Sequence, residues 1–217
     1  MGKIAKPHSA AFTLPELLVT MAVVGVIVML LIVIALPAFR PVRKAQRLSC
    51  FNNLKQVGMA FGIWEGDHGN QFPMRVSVTN GGTLESVSTG LVFPHFLVMS
   101  NELVWPKILH CPVDTERTNA VTFTSDFNDG KVSYFVAVDA SGSAPQGVLG
   151  GDRNLTLNGV PAPRGLVPLS GRATVGWFTN LHVGKGNLLF ADGSVQQVTV
   201  PKAVAGSGTA TNRLAIP

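Results

Sequence analysis

Few residues in this 217-residue chain are equipped for chemistry, and their spacing narrows what that chemistry could be. The two cysteines, Cys50 and Cys111, form no C-x-x-C pair and sit in no cysteine/histidine string with zinc-ligand spacing. They are either two buried thiols or one disulfide. The five histidines are scattered, and the sequence contains no G-x-S-x-G, no H-E-x-x-H and no phosphate-binding glycine loop. His182 could serve as a general base, but a histidine opening a glycine-rich turn reads as structural, so the chain is expected not to be an enzyme.

Glu16 is the one residue whose type and place demand an explanation. It is the only Asp, Glu, Lys or Arg between Lys6 and Arg40, and it stands at the lip of an otherwise uncharged apolar run. A carboxylate inside hydrocarbon is costly, so it asks for a cationic partner or a place among lipid headgroups. The surrounding string is Ala11-Phe12-Thr13-Leu14-Pro15-Glu16-Leu17-Leu18-Val19.

The elements around these residues follow from composition. Hydrophobic residues make up 46% of the chain and charged ones 13%, an apolar excess for an ordinary soluble domain. The net charge of +5 would suit nucleic acid, but it is unevenly placed: residues 1–55 carry seven Lys/Arg and one Glu, leaving the rest near neutral. The basic residues flank the apolar run, where lipid phosphates are the fitting partner, and no nucleic-acid binding is expected. Residues 17–39 hold 23 positions without a charge, about 34 Å as a helix, enough to cross a hydrocarbon core of about 30 Å. A cleaved secretory signal would have a shorter apolar region ending in small residues, whereas this one exits through Pro37, Phe39 and Arg40.

Beyond the span come Arg40, Arg43, Lys44 and Arg47, then Cys50, Leu54, Val57, Phe61 and Trp64 at helical spacing on one stripe. Glycine and polar residues at 65–70 end the pattern, so one helix is expected from about Pro15 to Trp64. After it the composition turns to Gly, Pro, Asn, Ser and Thr with short β-branched runs, at Arg75-Val76-Ser77-Val78, Val132-Ser133-Tyr134-Phe135-Val136 and Val148-Leu149. The clearest hairpin joins residues 187–191 and 195–198 through Asp192-Gly193-Ser194. The expected fold is α+β: a long N-terminal helix whose second half packs on a small antiparallel sheet.

A short basic leader containing Lys3 and Lys6, a small residue, then Phe-Thr-Leu-x-Glu opening an apolar helix resembles the signal of type IV prepilins and type II secretion pseudopilins. The resemblance implies a pilin-like fold and a structural filament subunit, embedded in the inner membrane and assembled with other pilin or pseudopilin subunits. It implies cleavage by a prepilin peptidase between Ala11 and Phe12, methylation of the Phe12 amine, and pairing of Glu16 with a neighbouring subunit's amino terminus. Ala11 stands where glycine is the rule. Pro15 stands where an aliphatic residue is common, but in a first helical turn its missing N–H has no intrahelical partner anyway. The divisions implied are a leader at 1–11, a span at 12–39, the rest of the spine helix at 40–65 and an extracytoplasmic domain at 66–217. The alternative is a signal-anchored extracytoplasmic binding or hydrolytic domain that does not polymerise.

More loosely, His182 and Asp192-Gly193 resemble the H-x9-D-G motif of a subgroup of bacterial pseudopilin-like proteins, as do the strings at 49–56, 111–114 and 151–154. Major pseudopilins bind calcium near the C-terminus. Asp139, Asp152 and Asp192 could offer oxygens, but they lack calcium-loop spacing and read better as turn residues; no cofactor or metal is expected. The basic residues beyond the span would by themselves place the domain in the cytoplasm. The resemblance implies the reverse, leader inside and domain outside. In that oxidising setting a Cys50–Cys111 disulfide is expected, since Cys50 shares the inward stripe with Leu54 and Val57 while Cys111 follows the apolar Ile108-Leu109.

Overall fold

Uninterrupted apolarity and a helical stripe produce the two long helices. The computed structural model describes residues 13–35, 39–124, 126–169, 173–205 and 212–217, and divides at residue 44 into two units. In the first, helix α1 (Leu14–Ala35) is long and apolar enough to cross a membrane, about 33 Å at helical rise. Its side chains from 14 to 34 are exposed on every side. That is the pattern of a helix whose solvent is lipid or other helices. Pro15 lies within its first turn, as the sequence leads one to expect. The leader, Ala11 and Phe12 lie outside the described residues, as does the stretch 36–38 in the middle of the expected single spine helix.

Helix α2 (Phe39–Asp67) runs into the second unit. Cys50, Leu54, Val57, Phe61 and Trp64 are all buried there, so the stripe is the inward face of the helix. It ends where glycine and asparagine accumulate, with the Asn70 N–H returning to the Glu65 carbonyl.

The face covered by α2 has two parts. One is a six-stranded antiparallel sheet, built from β1 (Tyr134–Ala137), β2 (Val148–Asp152), β5 (Gly165–Leu169), β7 (Gly186–Phe190), β8 (Val195–Val198) and β9 (Asn212–Ile216). Their spatial order is β5-β9-β1-β2-β7-β8. Strands β3 (Leu155–Leu157), β4 (Val160–Pro161) and β6 (Val175–Trp177) make a separate three-stranded sheet in the order β4-β3-β6. The expected hairpin is β7–β8, with the Phe190 N–H bonded to Ser194 O across the turn.

The other part is residues 72–110, where the sequence suggests a strand at 75–78 and the structure has none. Single 3₁₀ turns occupy Pro73–Arg75 and Val78–Asn80 instead. The reason is local. Pro73 opens the first turn, and the Glu85 carboxylate accepts from the Ser77 hydroxyl at 2.6 Å and the Val78 N–H at 2.8 Å. These bonds hold the segment in a turn and divert its backbone from a ladder. Two short helices follow, α3 (Phe93–Leu97) and α4 (Ser100–Leu103). The segment delivers Phe72 and Phe96 to the ring of Phe61, edge-on at 5.8 and 6.0 Å.

His95 of α3 is fully buried, its Nδ1 2.7 Å from the Thr83 hydroxyl. Burial lowers its pKa to about 4. An unfolded histidine titrates near 6.5, so the unfolded chain binds the proton first. The stability held by neutral His95 is therefore complete above about pH 6.5 and is lost as the pH falls through about 4. Between pH 7 and pH 4 this amounts to about 3 kcal/mol. His95→Gln should remove that part of the acid sensitivity, read as a smaller fall in urea midpoint over the same pH interval. An identical fall in both proteins would show that His95 is not the titrating group.

Candidate functional site

Two of the sequence-derived site residues, Ala11 and Phe12, lie outside the described residues, while Glu16 opens α1. Thr13 precedes the helix and Glu16 is three positions on, the arrangement of a capping box. The Glu16 Oε2 accepts from the Thr13 N–H at 2.9 Å and from its hydroxyl at 2.8 Å. A negative charge there also suits the positive end of the helix dipole.

The domain holds a second grouping around the disulfide. Cys50 and Cys111 are bonded, their Cα atoms 4.9 Å apart and both residues fully buried. The inward stripe of α2 carries Cys50, and the Tyr134 hydroxyl of β1 reaches its carbonyl at 3.4 Å. Cys111 follows the 3₁₀ turn Pro106–Leu109, and Asn53 of α2 donates to the adjacent His110 carbonyl at 3.1 Å. Helix and segment are thus held together on both sides of the bridge.

His182 stands directly against this bridge. Its Nε2 is 3.6 Å from Cys111 Sγ and 3.3 Å from Asp152 Oδ2, and both His182 and Asp152 are buried. Asp152 is the last residue of β2, so the reading of it as a turn residue is corrected. The glycines before it suggest a turn, yet Gly151 lies in the strand, where a side chain would strike Asn187 O and the Phe135 ring. Asn187 in β7 donates to Asp152 Oδ2 through its N–H at 2.7 Å and its amide at 3.0 Å. Burial raises the Asp152 carboxyl to about 7 and, with help from the charge of Arg47, lowers His182 to about 4. His182 Nδ1, Asp152 Oδ1 and Asn187 Oδ1 have no hydrogen-bond partner among the described residues.

Asp192 and Gly193, the other half of the motif, lie elsewhere. Gly193 has φ +78° at the β7–β8 turn, a conformation glycine adopts freely, and Asp192 Oδ1 accepts from the Ser194 N–H at 2.8 Å. This turn meets α2 at Gly58, where a side chain would come 2.6 Å from Leu189 Cδ1 and 3.2 Å from Gly193 O. The two ends of the motif therefore reach α2 beside Cys50 and at Gly58, about 12 Å or two turns apart, with β7 spanning the interval. Asp139 is also accounted for, in a bidentate pair with Arg213 at 2.6 to 3.2 Å. The three aspartates named as oxygen donors are in three different settings.

Beside the disulfide, Asp114 and Arg153 form a pair with two contacts of 2.7 Å, Asp114 having no exposed side-chain surface. Arg153 also reaches Glu116 at 2.8 Å. Burial opposes charge on Asp114, but the hydrogen bonds and charge of Arg153 outweigh it and hold the carboxyl below its usual range.

Sequence spacing did not reveal that Cys50, Cys111 and His182 converge, with ligand atoms within 4.8 Å of one another. Three elements far apart in the chain supply them. Comparison with models of protein families, with curated proteins and with solved structures finds no match to this chain.

Proposed function

We propose that the chain is a structural subunit of a type IV pilus-like or type II secretion filament. In this reading a prepilin peptidase cuts between Ala11 and Phe12, the new amine is methylated, and α1 anchors the subunit in the inner membrane. The domain is then extracytoplasmic, where its disulfide would be maintained. The observation that carries the proposal is a helix of 22 residues, apolar on every side, with a single carboxylate in its first turn. Such a surface is stable only in lipid or among other apolar helices. Cleavage would create a cation four residues from Glu16, and between subunits the two charges can neutralise each other in a low-dielectric setting.

One observation favours the non-polymerising anchored domain: Glu16 already has partners in Thr13 of its own chain. Two substitutions separate the readings. Glu16→Gln retains an oxygen that can accept from Thr13 but removes the charge, whereas Glu16→Ala removes both. In a host with the peptidase, both variants should insert and be cleaved at wild-type levels yet yield no sheared or pelletable filament. Filaments at wild-type levels from Glu16→Gln would sink the proposed role of the charge. An intact mass that retains residues 1–11 would sink the cleavage.

A further inference from the structure

Independently of whether the chain polymerises, we propose that its dithiol form is a zinc site, with Cys50, Cys111 and His182 as ligands and Asp152 supplying the fourth position. The distances carry the inference. Zinc in a tetrahedral site holds sulfur at about 2.3 Å and nitrogen at about 2.0–2.1 Å, which sets those ligand atoms about 3.6 Å from each other. Cys111 Sγ and His182 Nε2 are 3.6 Å apart. A nitrogen and an oxygen ligand would be separated by about 3.4 Å on the same geometry. His182 Nε2 and Asp152 Oδ2 are 3.3 Å apart. The ligand atoms of Cys50, Cys111 and His182 all lie within 4.8 Å of one another, and reduction, by removing the sulfur–sulfur bond, frees the two sulfurs to take up the remaining edges.

The surroundings also suit a metal. Both cysteines, His182 and Asp152 are buried, so a bound cation would be shielded from water and its ligands held by the core. Asn187 fixes Asp152 through two hydrogen bonds, as the supporting residues of metal sites do. Exchange is balanced: a dithiol reductant delivers two electrons and two protons to the disulfide, becoming a disulfide itself. Zinc then displaces the two protons from the resulting thiols. His182 coordinates through Nε2 with its own proton on Nδ1. The bridge and the metal are therefore alternative crosslinks at one place, available in oxidising and reducing conditions respectively.

The test uses the full chain in detergent, unfolded and reduced with a phosphine under argon, desalted, and refolded with cobalt(II). The expected result is one equivalent of cobalt with the intense visible bands of tetrahedral coordination and sulfur-to-metal charge transfer, displaced by one equivalent of zinc. The oxidised protein should show none of this. His182→Ala should lose the tetrahedral spectrum, and Asp152→Asn should weaken affinity about tenfold or more. If reduction unfolds the domain, one equivalent of zinc should restore its native circular dichroism, because metal binding and folding are then coupled. Failure to restore it, absence of a tetrahedral spectrum, or the same spectrum and affinity in His182→Ala would each overturn the site.

Discussion

Replacing Cys50 and Cys111 together by alanine is expected to destabilise the domain by about 4 kcal/mol. The bridge joins positions separated by 61 residues, and a loop of that length gains much freedom in the unfolded chain when it is released. Changing both positions avoids a lone thiol, and alanine leaves only a small gap. In a domain of this size the loss corresponds to a fall in melting temperature of about 10 °C. Scanning calorimetry of the two proteins, each without reductant, gives the measurement. A difference below about 1 kcal/mol would mean that α2 and the segment around Cys111 are held by packing alone.

Arg153→Ala should be about as damaging, at about 3–5 kcal/mol, because it leaves the Asp114 carboxylate buried without its cation. Asp114 has no exposed side-chain surface and takes both of its 2.7 Å contacts from Arg153. Removing the charge as well should recover most of the loss, so the double variant Arg153→Ala/Asp114→Asn should be more stable than Arg153→Ala alone. Chemical denaturation of the wild type, both single variants and the double variant closes this cycle. Additive losses would show that the two side chains do not depend on each other.

The two long helices and the hairpin were legible in the sequence because each rests on local physics. A charge-free run of 23 residues has few fates other than a membrane helix, and the stripe through Cys50, Leu54, Val57, Phe61 and Trp64 needs only helical periodicity. Asp192-Gly193 announces a turn by its backbone preferences. Residues 72–110 were not legible, because a carboxylate seven to eight positions away, Glu85, decides that the stretch around Ser77 turns. Asp152 was misread for a related reason. Its preceding glycines are there to let β2 pass close to Phe135 and Asn187, and nothing near it in the sequence distinguishes that need from a turn. The meeting of His182 with the disulfide depends on long-range pairing, that of β2 with β7, which spacing along the chain does not express.

The strand order has a consequence for how the domain is made. Strand β9 lies between β5 and β1, although it is the last of the described strands in sequence. Until residues 212–216 have emerged from the ribosome, β1 lacks one neighbour and β5 lacks the partner it has among the described residues, so the six-stranded sheet is left in two pieces. Cys50 and Cys111 both precede every described strand, so their crosslink can form while the sheet is still incomplete.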